Sequence, residues 1–350
     1  MFAFLTVLAF QIAAGDPGNA DPKISDADFR AYFDAARAGK LVIPEEGLEE
    51  ARRYRYVFVG GFHNERLPGY FAQNARELRA KGIPKDAVHF IFPSSHETVA
   101  GNARVVREQF EDIAALGPEK LVVIAHSRGS CDALAFALQN PEFVTEHVHA
   151  LFLIQGAFGG TALADYVVGE GPPMDRRMPL GYRVTGHALA NIEGFLLDHG
   201  KHGGLPSLSR RASRAFWNDL LKESSSAIPI VSPKTFYITS QIAPKGHRIL
   251  QRPIASYLET HFGENDGVIA LEDQRIDGLG KVLAVLDAGH TDLTNRFPSG
   301  SAAQRMRKAI VDAIVMSIGE QEAAKPSERK GSSRKSAGAL RSATRSKSVR

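Results

Sequence analysis

The sequence predicts an α/β protein with a mostly parallel central sheet covered by helices on both faces. One observation is a set of short, nearly continuous apolar runs, "YRYVFVGG" (54–61), "AVHFIF" (87–92), "KLVVIA" (120–125) and "VHALFLIQG" (148–156). Such runs suit parallel strands buried on both faces, where alternation with polar residues is lost. A second is that stretches of helical period separate them, which implies βαβ units. A third is scale, since 350 residues of which 43% are hydrophobic suffice for one large core.

In chain order, the amphipathic "ISDADFRAYFDAARAGK" (24–40) precedes the first strand. "GYFAQNARELRAKG" (69–82) follows as a helix, then the strand at 87–92, then the helix "VAGNARVVREQFEDIAALG" (99–117), which closes on a glycine as helices tend to. The strand at 120–125 runs into a helix at 129–139, and the strand at 148–156 follows. From about 157 to 228 the alternation breaks into Gly- and Pro-punctuated helical patterns such as "HALANIEGFLLDHG" and "SRRASRAFWNDLLKES", read as a helical insertion over one end of the sheet. "KTFYITSQI" (234–242) and "GKVLAVLDAG" (280–289) resume the sheet, and "SAAQRMRKAIVDAIVMSIG" (301–319) closes the core. There are no internal repeats.

The ends read differently. Residues 325–350 carry nine Lys/Arg against Glu328 alone, so the overall charge of +4 leaves the first 324 residues at −4. The basic balance therefore belongs to a Ser/Lys/Arg/Ala-rich tail from about 321, too poor in large apolar residues to fold, and no specific nucleic-acid partner is expected. About fourteen mostly apolar residues open the chain and small residues follow, a pattern of a signal peptide over 1–15 without its usual basic start; secreted or periplasmic location is expected, cytoplasmic if the segment is retained. No run reaches the length of a transmembrane span. Cys131 is the sole cysteine, which excludes an intramolecular disulfide and reads as a small buried hydrophobe.

The chemistry centres on "LVVIAHSRGSCDALAFAL" (121–138). A serine hydroxyl is a weak nucleophile until a base takes its proton and the fold holds it in reach of a carbonyl. Ala125-His126-Ser127-Arg128-Gly129 between an apolar strand and a helix has small residues two before and two after the serine, as a strained strand-to-helix corner requires. Ser127 is thus the candidate nucleophile, and the N–H of Arg128 at the helix start a candidate oxyanion donor. A second donor is expected from the loop after the first strand, where Gly60 and Gly61 let the backbone turn and present the N–H of Phe62. His63, Asn64 and His126 are placed to line the substrate site.

Of twelve histidines, only His290 follows a strong late strand, in "VLAVLDAGHTDL", and it is the candidate base. The acid must reach its far ring nitrogen. Asp266, in the turn "FGENDGVIALED", ranks first, Asp287 second and Glu264 third.

"AHSRGS", "GENDGVI" and "GHTDLTN" resemble the nucleophile corner, acid turn and histidine loop of bacterial triacylglycerol lipases and esterases in the α/β-hydrolase fold. "VFVGGF" resembles their oxyanion strand, with Gly-Gly where His-Gly is usual, and "QGAFGGTALAD" the segment leading to their lid. The likeness covers about 54–318 and implies an α/β-hydrolase domain over 16–320 with a mobile helical lid. It implies Ser127, Asp266 and His290 as nucleophile, acid and base, and Phe62 and Arg128 as oxyanion donors. Many of these lipases bind calcium through two aspartates. Asp292 matches one, but no aspartate lies at 230–263 for the other, so neither metal nor cofactor is expected. The function implied is hydrolysis of carboxylic esters of lipid acyl chains, with transient contact at a lipid interface. Thioesterase, amidase or polyester depolymerase chemistry would use the same residues, and a non-catalytic scaffold with a basic binding tail is the alternative of another class.

Overall fold

The computed structural model describes residues 26–64, 69–170, 203–243, 252–294 and 300–323. The expected signal segment, and the basic tail beyond residue 323, lie outside these residues. Six parallel strands, β1 (Arg55–Val59), β2 (Val88–Ile91), β3 (Leu121–His126), β4 (Val148–Ile154), β5 (Thr235–Gln241) and β6 (Lys281–Asp287), form one sheet in the order β2-β1-β3-β4-β5-β6. Helices α1 (Asp26–Arg37), α2 (Glu45–Ala51), α3 (Ala72–Ala80), α4 (Val99–Ala114), α5 (Arg128–Gln139), α6 (Pro141–His147), α7 (Ala162–Val168), α8 (Arg210–Glu223), α9 (Arg252–Phe262) and α10 (Ser301–Ala323) surround it.

Strand periodicity explains the two-faced core. Successive side chains point to opposite faces, and Val57, Val59, Val123, Ala125, Leu151 and Leu153 enter one apolar cluster with α4, α5 and α8. Their neighbours Tyr56, Phe58, Val122, Ile124, Phe152 and Ile154 enter the other, with α1, α3 and α10. Both faces being covered, β3 has no exposed residue, which is why "LVVIAH" shows no alternation. At the open edge of β6, Arg30 from α1 donates to the Val285 carbonyl and pairs with Asp287, covering strand groups that would otherwise be unpaired.

The sequence anticipated every strand, but not the seven-residue helices α2 and α6, nor the eleven-residue α9. The middle of the expected insertion, 171–202, including Phe195, Leu196 and Leu197, lies outside the described residues. Its flanks pack on the body: Trp217 and Leu220 of α8 are buried in the main core, Trp217 edge-on to Phe158 at 5.2 Å. No helix among the described residues is long and apolar enough to cross a membrane.

The register sets the level of the site. Val59 pairs with Ala125, and Ala125 with Leu153, so β1, β3 and β4 end side by side. The loops leaving these carboxyl ends therefore lie at the end of the sheet where open α/β sheets bind ligands.

Candidate active site

Ser127 occupies the corner between β3 and α5 with φ 55° and ψ −129°. A positive φ in a non-glycine residue costs on the order of 1–3 kcal/mol and persists only where the surroundings enforce it. Here they do. The Ser127 N–H donates to the Ile154 carbonyl at 2.9 Å, and its carbonyl accepts from Ser130. Clearance comes from Gly129, where a methyl group would meet the Gly60 carbonyl and lie 2.6 Å from the Val59 carbonyl. Helix α5 therefore starts against the end of β1, where the N–H of its first residue, Arg128, has no intrahelical acceptor.

His290 sits just past β6 and lies between the two expected partners. Its Nε2 is 2.9 Å from Ser127 Oγ and its Nδ1 is 2.8 Å from Asp266 Oδ2. Asp266 is buried, and its Oδ1 accepts from the N–H groups of Val268 and Ile269 at 2.9 and 2.8 Å. The His290 N–H donates to the Asp266 carbonyl at 2.9 Å, so one residue grips the histidine by ring and backbone. With Nδ1–H donated to the carboxylate, Nε2 is left with a lone pair facing the Ser127 hydroxyl. Asp287 points elsewhere, exposed and paired with Arg30. Asp292 Oδ2 accepts from the Gly289 N–H at 2.9 Å, and among the described residues no cluster of potential ligands could hold a metal ion.

On the other side of Ser127, the loop Gly60–Asn64 lies hard against the corner. A methyl group at Gly61 would lie 2.9 Å from Ser127 Cβ and 2.6 Å from Tyr70 Oη. Asn64 is turned inward, its Nδ2 donating to the carbonyls of Gly61 and Pro93 at 2.8 Å, so it braces the loop. His63 is half-buried beside the Phe62 ring, with its N–H donated to Ser95 Oγ at 2.8 Å. The Arg128 side chain, which sequence reasoning passed over for its backbone, is buried. It donates to the Ser95 and Glu97 carbonyls and stands 5.8 Å from the centre of the Phe62 ring. Asp132, one turn on, has its carboxyl pushed up to about 7 by burial, against the opposing pull of Arg128 and Asn102.

His126 is the correction. Expected to line the substrate site, it is 1% exposed, its Nδ1 2.5 Å from Tyr70 Oη and its Nε2 2.8 Å from the His290 carbonyl and 3.1 Å from Gln155 Oε1. It is the last residue of β3, and strand alternation puts its side chain on the same face as Val122 and Ile124, away from that of Val123 and Ala125. Burial, and His290 nearby, hold its ring well below the usual imidazole range. Sequence reasoning missed Tyr70 and Gln155 altogether. Gln155 opens the segment "QGAFGGTALAD" but carried no role there, Tyr70 opens a helical pattern, and each meets its partners only through tertiary contacts. Cys131 is fully buried, and burial with Asp132 alongside raises its thiol, in keeping with a packing role.

No family model matches the sequence, and no curated protein matches it. Solved structures do. A metagenomic carboxyl esterase is 18% identical over 77% of this chain and 76% of its own, with a TM-score of 0.54. The mature lipase BlEst2 of Bacillus licheniformis is 17% identical over 68% of this chain and 84% of its own, with a TM-score of 0.49. Phospholipase PlaB of Legionella pneumophila is 15% identical over 63% and 45%, with a TM-score of 0.43. The likeness to the carboxyl esterase, at that identity, establishes the fold: the chain has the α/β-hydrolase architecture, a parallel sheet flanked by helices.

Proposed function

We propose that this protein is a serine hydrolase that cleaves carboxylic esters, with lipid acyl esters as its substrate class. One observation carries the reading: His290 bridges Ser127 Oγ and Asp266 Oδ2 at 2.9 and 2.8 Å while Ser127 is held in a strained backbone conformation. The fold shared with a carboxyl esterase supports it.

As Ser127 Oγ attacks the ester carbonyl carbon, its proton passes to His290 Nε2, and Asp266 stabilises the resulting imidazolium. The carbonyl oxygen becomes an oxyanion, held by the N–H groups of Phe62 and Arg128. Collapse breaks the bond to the alcohol oxygen, which leaves with the proton from His290. Water then repeats the sequence on the acyl-serine, returning the proton to Oγ and releasing the acid. Fixed donors aimed at the developing charge contribute about 10²–10³ in kcat each. That places a premium on the contacts fixing Gly61 against Ser127.

The apolar residues at the chain's start and the small residues after them support export. The test of substrate class is hydrolysis of p-nitrophenyl esters from acetate to palmitate. Increasing kcat/KM toward longer acyl chains is expected; a steep preference for acetate, or cleavage of thioesters or amides but not of esters, would overturn the lipid-ester assignment.

A further inference from the structure

We propose that His126 is a positioning residue, which together with Tyr70 and Gln155 sets where His290 presents its imidazole to Ser127; the inference rests on the hydrolase reading. The direction of each hydrogen bond follows from the atoms present. Nε2 of His126 faces only acceptors, the His290 carbonyl at 2.8 Å and Gln155 Oε1 at 3.1 Å, so that nitrogen carries the proton. Nδ1 therefore holds a lone pair, and Tyr70 Oη, 2.5 Å away, donates to it. Burial keeps the ring neutral and raises the Tyr70 phenol, so neither group loses its role near neutral pH.

Gln155, in a left-handed conformation at φ 49° where β4 ends, completes the clamp. Its Nε2 donates to the Gly289 carbonyl at 3.2 Å and to Ser240 Oγ at 2.5 Å. Two consecutive carbonyls of the histidine loop, Gly289 and His290, are thus held from the sheet by two side chains. Asp266 holds the same loop from the other side through the His290 N–H and ring. Tyr70 also lies against the oxyanion loop, its hydroxyl 2.6 Å from where a methyl group at Gly61 would stand. Tyr70 to His126 to the His290 carbonyl is one buried, proton-ordered line. Through the packing of Tyr70 on Gly61 it joins the loop expected to bind the oxyanion to the loop that carries the base.

The full-length variants Tyr70→Phe, His126→Leu and His126→Gln test this, with kcat and KM on the best-cleaved p-nitrophenyl ester and a Tm for each. Displacing a catalytic group by a fraction of an ångström to an ångström is expected to lower kcat about tenfold or more in the Phe and Leu variants. KM should stay within about threefold, as for an interaction made only in the transition state. Glutamine retains a donor at the ε position, and His126→Gln should recover most of the kcat lost by His126→Leu at a similar Tm. Wild-type kcat in Tyr70→Phe, or equal losses in the Gln and Leu variants, would overturn the inference while leaving the hydrolase reading intact. Ring ¹⁵N shifts read the tautomer without turnover: His126 in the Nε2–H form is expected, and an Nδ1–H or protonated ring would refute the arrangement. A wild type inert to every ester would instead sink the hydrolase reading.

Discussion

Replacing Asp266 by asparagine separates the charge of the acid from its hydrogen bonds. Oδ1 accepts two backbone N–H groups, from Val268 and Ile269, at 2.9 and 2.8 Å, so asparagine is compelled to keep its carbonyl there. Its NH₂ then faces His290 Nδ1 at the 2.8 Å position now held by Oδ2. Two donors cannot share that contact, so Nδ1 becomes the acceptor and the ring proton moves to Nε2, opposite Ser127 Oγ. The base is lost while the fold is kept. A wrong-tautomer histidine lowers kcat by about 10⁴, or about 5.5 kcal/mol in the barrier. The cost in stability is about 1 kcal/mol, that of exchanging a charge-assisted hydrogen bond for a neutral one. Initial rates on a p-nitrophenyl ester and a urea melt measure both. Asp287→Asn, at an exposed residue paired with Arg30, should leave kcat unchanged. Full activity in Asp266→Asn, with loss in Asp287→Asn, would refute the assignment of the acid.

Gly129→Ala should destabilise the fold by about 1–3 kcal/mol, because its methyl group would press on the Val59 and Gly60 carbonyls; an unchanged denaturation midpoint would show that α5 can move away freely. Asp132 gives stability a definite pH dependence. Its carboxyl is raised from 3.8 to about 7 on folding, so between those values the unfolded chain has lost a proton that the folded chain keeps. Stability from this group therefore falls as pH rises from about 4 to about 7, by a few kcal/mol at most, and is level above. Urea melts across that range should show a shallower fall in Asp132→Asn; an identical slope in both proteins would contradict the shift.

The fold and the nucleophile corner were legible because they are local. "KLVVIA" followed by "HSRGS" records a doubly buried strand, a tight corner and the clearance it needs within eleven residues. Asp266 and His290 could be ranked because each follows a strand and the strands are apolar runs. What could not be read lies across the sheet. Gln155 touches His126, Ser240 and Gly289, partners 29, 85 and 134 residues away, and glutamine carries no chemical signature of its own. His126 was placed on the wrong side because a histidine next to a nucleophile invites a role in binding, whereas alternation along β3 turns it inward. The helical spacing of Trp217 and Leu220 in α8 points to packing on the domain, and both lie in the main core; which core residues they meet is a fact of tertiary packing alone.

The central claim is that Ser127 is a nucleophile activated by His290. Labelling of the full-length protein by a fluorophosphonate probe, followed by identification of the modified peptide, tests it most directly. The account predicts stoichiometric modification of Ser127 in the wild type, none in Ser127→Ala, and strongly slowed labelling in His290→Ala. An unlabelled wild type, or a label that persists in Ser127→Ala, would contradict it.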